Sequence, residues 1–175
     1  MKKKGIFLVF VAILAVTFLA FCFWPRDKGY IKIDASGADA ALYLRRCLFS
    51  RTTVTSGAQS TVVRAQLHQP QRLYLRGKQD SDTWQLNSSG PWGKLGNIRV
   101  NRNETTVLKL GPPLIVKTYV TNRNSQVSID FTIIGQAGER YDNVITKNGR
   151  RVSTPAVKII DEGGKVLAAG RFQYG

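Results

Sequence analysis

This chain has few of the residues that do chemistry: its 175 positions include one histidine, two cysteines and 11 carboxylates. A single imidazole, His68, cannot build a histidine-rich zinc site, and no cysteine lies at ligand spacing from it. His68 also has no nucleophile to activate, because no G-x-S-x-G occurs. Its neighbours Gln69 and Pro70 predict an exposed turn. The carboxylates pair as Asp80 with Asp82, Glu139 with Asp142, and Asp161 with Glu162, all in predicted turns facing water. There a carboxyl group keeps its ordinary acidity, which does not suit general-acid work. Asp80-Ser81-Asp82 lacks the rest of an EF-hand loop. No catalytic residue, cofactor or metal is therefore expected, and a non-enzymatic protein is the leading reading over an exported enzyme. Cys22 lies in an apolar run and Cys47 beyond it, which argues against an internal disulfide. A buried thiol or a bridge between chains remains open for Cys47.

Charge is absent from one long stretch. Lys2, Lys3 and Lys4 precede an uncharged run from Gly5 to Trp24, which Pro25 stops. Twenty helical residues at ~1.5 Å each reach ~30 Å, the hydrocarbon thickness of a bilayer. The sequence predicts a single transmembrane signal-anchor over residues 1–28, with the lysines inside and the rest periplasmic or extracellular. A cleaved signal would have a shorter apolar region, and a lipobox ending at Cys22 would need a small residue where Phe21 stands. A prepilin leader would need glutamate where Phe10 stands.

What the chain has in excess is positive charge. Net charge is +15, from 26 basic against 11 acidic residues, and only three of the basic ones precede Pro25. The remainder is spread along the exported part rather than held in a tail. Such a surface attracts polyanions. An anionic envelope polymer, lipid head groups or an acidic partner protein are the expected contacts, with nucleic acid less favoured.

Past Pro25 the pattern is that of short strands, and no helix of useful length is evident. Tyr30–Asp34, Thr61–Leu67, Gln71–Arg76 and Thr83–Leu86 alternate apolar with polar side chains, the period of a half-buried strand. Ala40–Phe49 is ambiguous, with a short helix open but strand favoured; Thr52–Ser60 reads as loop with marginal strand character; and His68-Gln69-Pro70 is expected to join the strands of a hairpin or two adjacent strands. Asn101-Arg102-Asn103-Glu104 is expected to turn Asn97–Val100 back onto Thr105–Leu110. Leu114–Thr121, Gln126–Ile134, Tyr141–Thr146, Ala156–Ile160 and Lys165–Tyr174 follow. Asn148-Gly149 carries the pair a type I′ turn favours. The fold class is all-β: an N-terminal transmembrane helix, then one or two antiparallel sandwich modules. Gly111-Pro112-Pro113 is the expected boundary, dividing residues 29–110 from 111–175, or lying inside one continuous sandwich.

The segments Val157–Gly170 and Asn97–Leu110, read as strand, glycine or polar turn, strand, resemble hairpins of prealbumin-like and carboxypeptidase-regulatory-like modules. The resemblance implies an immunoglobulin-like or transthyretin-like architecture used for support or binding, and it brings no catalytic residues with it.

One stripe combines charge with a ring. If Gln71–Lys78 is a strand, then Arg72, Tyr74, Arg76 and Lys78 share a face while Leu73 and Leu75 point inward. That stripe is the candidate anion-binding surface. Trp84 and Trp92, near Pro91 and Lys94, are candidate stacking residues against the alternative of core packing. Asn87-Ser88-Ser89 and Asn103-Glu104-Thr105 match the N-glycosylation acceptor pattern. The leading expectation is a membrane-anchored envelope protein that binds an anionic component. The alternative is an assembly subunit offering Gly170–Tyr174 as an edge strand.

Overall fold

The computed structural model describes residues 27–47, 50–57, 59–123, 126–142 and 144–173. The predicted transmembrane run, with Cys22 in it, lies outside them. Among the described residues no helix is long and apolar enough to cross a membrane. The protein is all-β, and its only helical element here is a short 3-10 turn, Gly93–Gly96.

Two sheets enclose the core. In the smaller, β1 (Lys28–Asp34) lies between β4 (Thr61–Arg64) and β8 (Thr105–Lys109), in the order β4-β1-β8. β1 is antiparallel to β4 and parallel to β8, so the expected purely antiparallel arrangement is corrected here. The larger sheet is built on β2 (Asp39–Cys47), β3 (Ser50–Thr55), β5 (Leu67–Gln79) and β6 (Asp82–Ser88), in the order β3-β2-β5-β6. Two short strands, β12 (Thr146–Lys147) and β13 (Arg150–Arg151), extend it beyond β6, and β7 (Ile98–Arg99) pairs with the start of β5.

Alternation places Ile31 and Ile33 of β1 in one core with Leu42 and Leu44 of β2, Val54 of β3 and Leu73 and Leu75 of β5. Burying each such side chain contributes about 1.5–3 kcal/mol. It also fixes register, since a slip by one residue would turn a whole strand inside out.

Several expectations need correction. Residues 50–55 form a strand despite their Thr and Ser content, because Val54 enters the core with 0 % exposure. Positions 68–70 are not a turn: β5 runs straight through them, with a register shift where Pro70 faces Leu44. β4 therefore lies in the other sheet rather than in a hairpin with β5. β7 and β8 likewise separate, one to each sheet, which leaves residues 101–104 crossing between layers. Among its described residues Tyr141–Thr146 holds the end of β11 (Arg140–Tyr141) and the start of β12, not one continuous strand. The expected I′ turn is present, with Asn148 and Gly149 at φ 50° and 76°.

Besides β12–β13, residues beyond Leu110 add two hairpins. β9 (Ile115–Arg123) and β10 (Gln126–Ile134) pair along their length, with β11 beside the root of β10. β14 (Ala156–Ile160) and β15 (Val166–Arg171) form a separate two-stranded sheet. Phe131 and Phe172 meet edge to face at 4.7 Å and tie the hairpins together. At the root, buried Glu139 accepts hydrogen bonds from the Gly111 N–H at 2.6 Å, the Ala137 N–H at 2.9 Å and the Tyr141 hydroxyl at 2.9 Å. The water-facing position expected for Glu139 is thus corrected: its exposure is 0 %.

Candidate functional site

The outward face of the larger sheet is built by the same alternation that builds the core. With Leu42 and Leu44 inside, Ala41, Tyr43 and Arg45 point out; with Leu73 and Leu75 inside, Arg72, Tyr74, Arg76 and Lys78 point out. Register sets them side by side. Tyr43 pairs with Arg72, Ala41 with Tyr74, and Asp39 with Arg76. Across β6, Tyr74 meets Asn87 and Arg76 meets Gln85. On the other flank Arg45 stands opposite Arg51.

The rings order this face. Tyr43 and Tyr74 meet edge to face at 5.6 Å. Arg72 Nη1 donates to the Tyr74 hydroxyl at 3.1 Å, and its guanidinium carbon lies 6.0 Å from that ring's centroid. The hydrogen bond to Tyr74 holds the Arg72 guanidinium above its ordinary range, with a smaller effect from Asp142. Two shallow depressions adjoin at this pair of tyrosines. One, of about 530 Å³, is lined by Asp39, Thr55, Arg76 and Gln85 among others. The other, of about 440 Å³, is lined by Tyr43, Arg51, Gln71, Arg72 and Tyr74.

The electrostatics of this face are one-sided. Arg45, Arg51, Arg72, Arg76 and Lys78 share it with Asp39, with Asp142 near enough to act on Arg72, and none of these cations makes an ion pair among the described residues. Guanidinium groups directly opposite on neighbouring strands, as in Arg45 and Arg51, destabilise a sheet unless an anion lies between them. The strip could hold phosphate, sulfate or carboxylate groups by bidentate hydrogen bonds, with the tyrosine rings as a wall.

The predicted stripe is therefore assembled on one face, Arg72 to Lys78, and Arg45, Arg51 and Tyr43 join it. Their alternation was visible in the sequence, but their adjacency needed the pairing of β2 with β3 and β5. The tryptophans lie elsewhere. Trp84 pairs with Gly77 and Lys147, on the core side of the sheet, where the Lys147 ammonium lies 5.4 Å from the ring and its indole Nε1 is buried. Trp92 is half-buried and packs against the core. They are not brought together with the stripe. His68 is buried at 4 % exposure, with Nε2 2.8 Å from the Arg64 carbonyl oxygen, and is no turn residue. No group of His, Cys, Asp and Glu among the described residues is arranged to hold a metal. The Cys47 backbone lies in β2.

The chain enters this body beside the arginine-rich end of the face. The Ala65 N–H donates to the Asp27 carbonyl and the Asn103 N–H to the Lys28 carbonyl. Arg45 pairs with Gln69, close to the start of β5 and to β7. Lys28, Arg45, Arg51, Arg99 and Arg102 gather at this end against Asp27 and Glu104. At the other end Arg76, Lys78, Lys109, Lys147, Arg150 and Arg151 stand with Asp34, Asp39, Asp80 and Asp82.

Fold and face together define an all-β domain with an open cationic sheet surface. Comparison with family models, curated proteins and solved structures finds no match to this chain. The resemblance to prealbumin-like modules rests on sequence alone.

Proposed function

We propose that the protein is a membrane-anchored, non-enzymatic module that binds an anionic component of the cell envelope through the outer face of its larger sheet. The observation that carries this reading is the unpaired strip of Arg45, Arg51, Arg72 and Arg76 around Tyr43 and Tyr74. The chain enters at the end that holds Lys28, Arg45, Arg51, Arg99 and Arg102. If residues 5–24 span the bilayer, that end lies beside the head groups, where each basic residue is attracted by about 1 kcal/mol to an anionic leaflet.

Titration of the full-length protein in nanodiscs with inorganic polyphosphate, over a range of salt, tests this. Affinity should fall steeply with salt, because contacts to exposed charge are screened. Arg45→Gln with Arg51→Gln and Arg72→Gln should weaken binding tenfold or more with no loss of thermal stability. Binding that ignores both salt and these substitutions overturns the reading.

A further inference from the structure

We propose that the outer edge of β9 is a docking strand for an extended, carboxylate-bearing segment of a partner protein, which joins the β9–β10 sheet as an added strand. This surface is separate from the basic face, and the proposal stands whether or not that face binds polyanions.

The edge is open. The sheet order is β11-β10-β9, so among the described residues no strand pairs with the far side of β9. It is nine residues long and contains no proline, glycine or bulge to blunt it. Every residue of β9 is exposed, including Val116 at 63 % and Val120 at 67 %. Pairing puts Val116, Thr118 and Val120 on one face with Ile133, Phe131 and Ile129 of β10. That face is covered only in part by the β14–β15 hairpin, and a cleft of about 350 Å³ remains, lined by Val127, Ile129, Val157, Ile159 and Phe172 among others. Two-stranded ribbons with this much apolar exposure are marginal alone in water, and a further strand would complete the layer.

Charge selects the occupant. Lys117 and Arg123 project from the opposite face of β9, with Ile115, Tyr119 and Thr121 beside them and with Asp130 of β10, which pairs with Tyr119, on the same side. In antiparallel self-pairing centred on Val120, Lys117 of one copy stands opposite Arg123 of the other. Centred on Tyr119 the same residues are diagonal neighbours, and centred on Thr118 the two Lys117 residues are. Each arrangement sets cation near cation in a chain of net charge +15. A second copy is disfavoured for that reason. A strand with aspartate or glutamate opposite Lys117 and Arg123, and apolar residues opposite Val116, Thr118 and Val120, meets both faces.

The test uses full-length protein and a fluorescent nine-residue peptide alternating valine with polar positions, with glutamates placed to face Lys117 and Arg123. A lysine-for-glutamate counterpart and a version N-methylated along one edge serve as controls. The glutamate peptide should bind and both controls should not. Lys117→Glu with Arg123→Glu should weaken it at least tenfold and turn preference to the lysine peptide, with an unchanged unfolding midpoint. The proposal is overturned if the glutamate peptide fails to bind, or if N-methylation leaves binding intact. A doubling of mass with concentration in light scattering, abolished by Val120→Lys, would give the edge to a second copy and overturn it equally.

Discussion

Glu139 shows how one residue can join two parts of a chain. Its carboxylate accepts hydrogen bonds from the backbone on either side of β9 and β10, at Gly111 and Ala137, and from the Tyr141 hydroxyl. A Cβ at Gly135 would overlap that carboxylate, so glycine there is a packing requirement. Glu139→Ala would leave three buried donors unsatisfied and should destabilise the protein by roughly 3 kcal/mol or more, read as a lower urea midpoint at unchanged slope. Burial, chiefly, and then the neighbouring Glu139 raise the Tyr141 phenol well above its ordinary pKa of 10.0. A group shifted in this direction contributes stability that is complete below its unfolded value and is lost as pH rises above it. Wild type should therefore lose stability above about pH 10 more steeply than Tyr141→Phe, whose stability is lower at neutral pH. None of this was legible in the sequence. A glutamate beside glycines reads as a solvated turn until the three donors that meet it, one of them 28 residues away, are placed. His68 misled in the same way: Gln69 and Pro70 signal a turn, but a bulge absorbs the proline and β5 continues.

At the scale of elements, alternation was the reliable signal and partnership was not. β1, β5, β9 and β10 follow apolar–polar periods in the sequence, and in β1 and β5 the apolar set is the face that is kept dry. Which strand pairs with which is decided by turns and by the second layer, and periodicity carries no record of either. Asn97–Leu110 has the pattern of a hairpin, yet Thr106 donates to the Arg99 carbonyl at 3.1 Å across a corner and the two strands separate. Local turn chemistry did succeed at Asn148-Gly149. There Asp82 holds the β12–β13 hairpin to β6, through Lys147 at 2.6 Å and the Asn148 side chain at 2.9 Å. The bond to Lys147, and then that to Asn148, lower the Asp82 pKa from its ordinary 3.8. Its contribution is thus complete above the ordinary carboxylate range and is lost as pH falls below it. Lys147 lies over Trp84, so the indole resonance should report this. Its chemical shift should stay constant from neutral pH to about 4 and move below that, and Asp82→Asn should show the displaced shift at all pH values.

For the whole molecule, composition gave the sign of the surface and structure gave its distribution. A net charge of +15 says that anions are attracted. It does not say that Arg45 and Arg51 face each other, or that the chain enters beside them. The arginines beside the entering chain predict an orientation. A fluorophore at Asn101 should be quenched by spin-labelled head groups in anionic nanodiscs more than one at Gly149. The difference should shrink in neutral lipid or at 1 M salt, where screening reaches down to about 3 Å. Equal quenching at both positions would contradict it.

The two ends of β1 differ in what they carry. Lys28 starts beside the entry of the chain, and Asp34 accepts from the Leu110 N–H at the root of the β9–β10 hairpin. They are the first and last of the seven residues of the strand, a span of about 20 Å. That is more than twice the screening length of about 8 Å at physiological ionic strength. The core thus acts as a spacer. A segment captured at the hairpin would be held beyond the electrostatic reach of whatever the basic end rests on, and the two attachments could form and break without sensing each other.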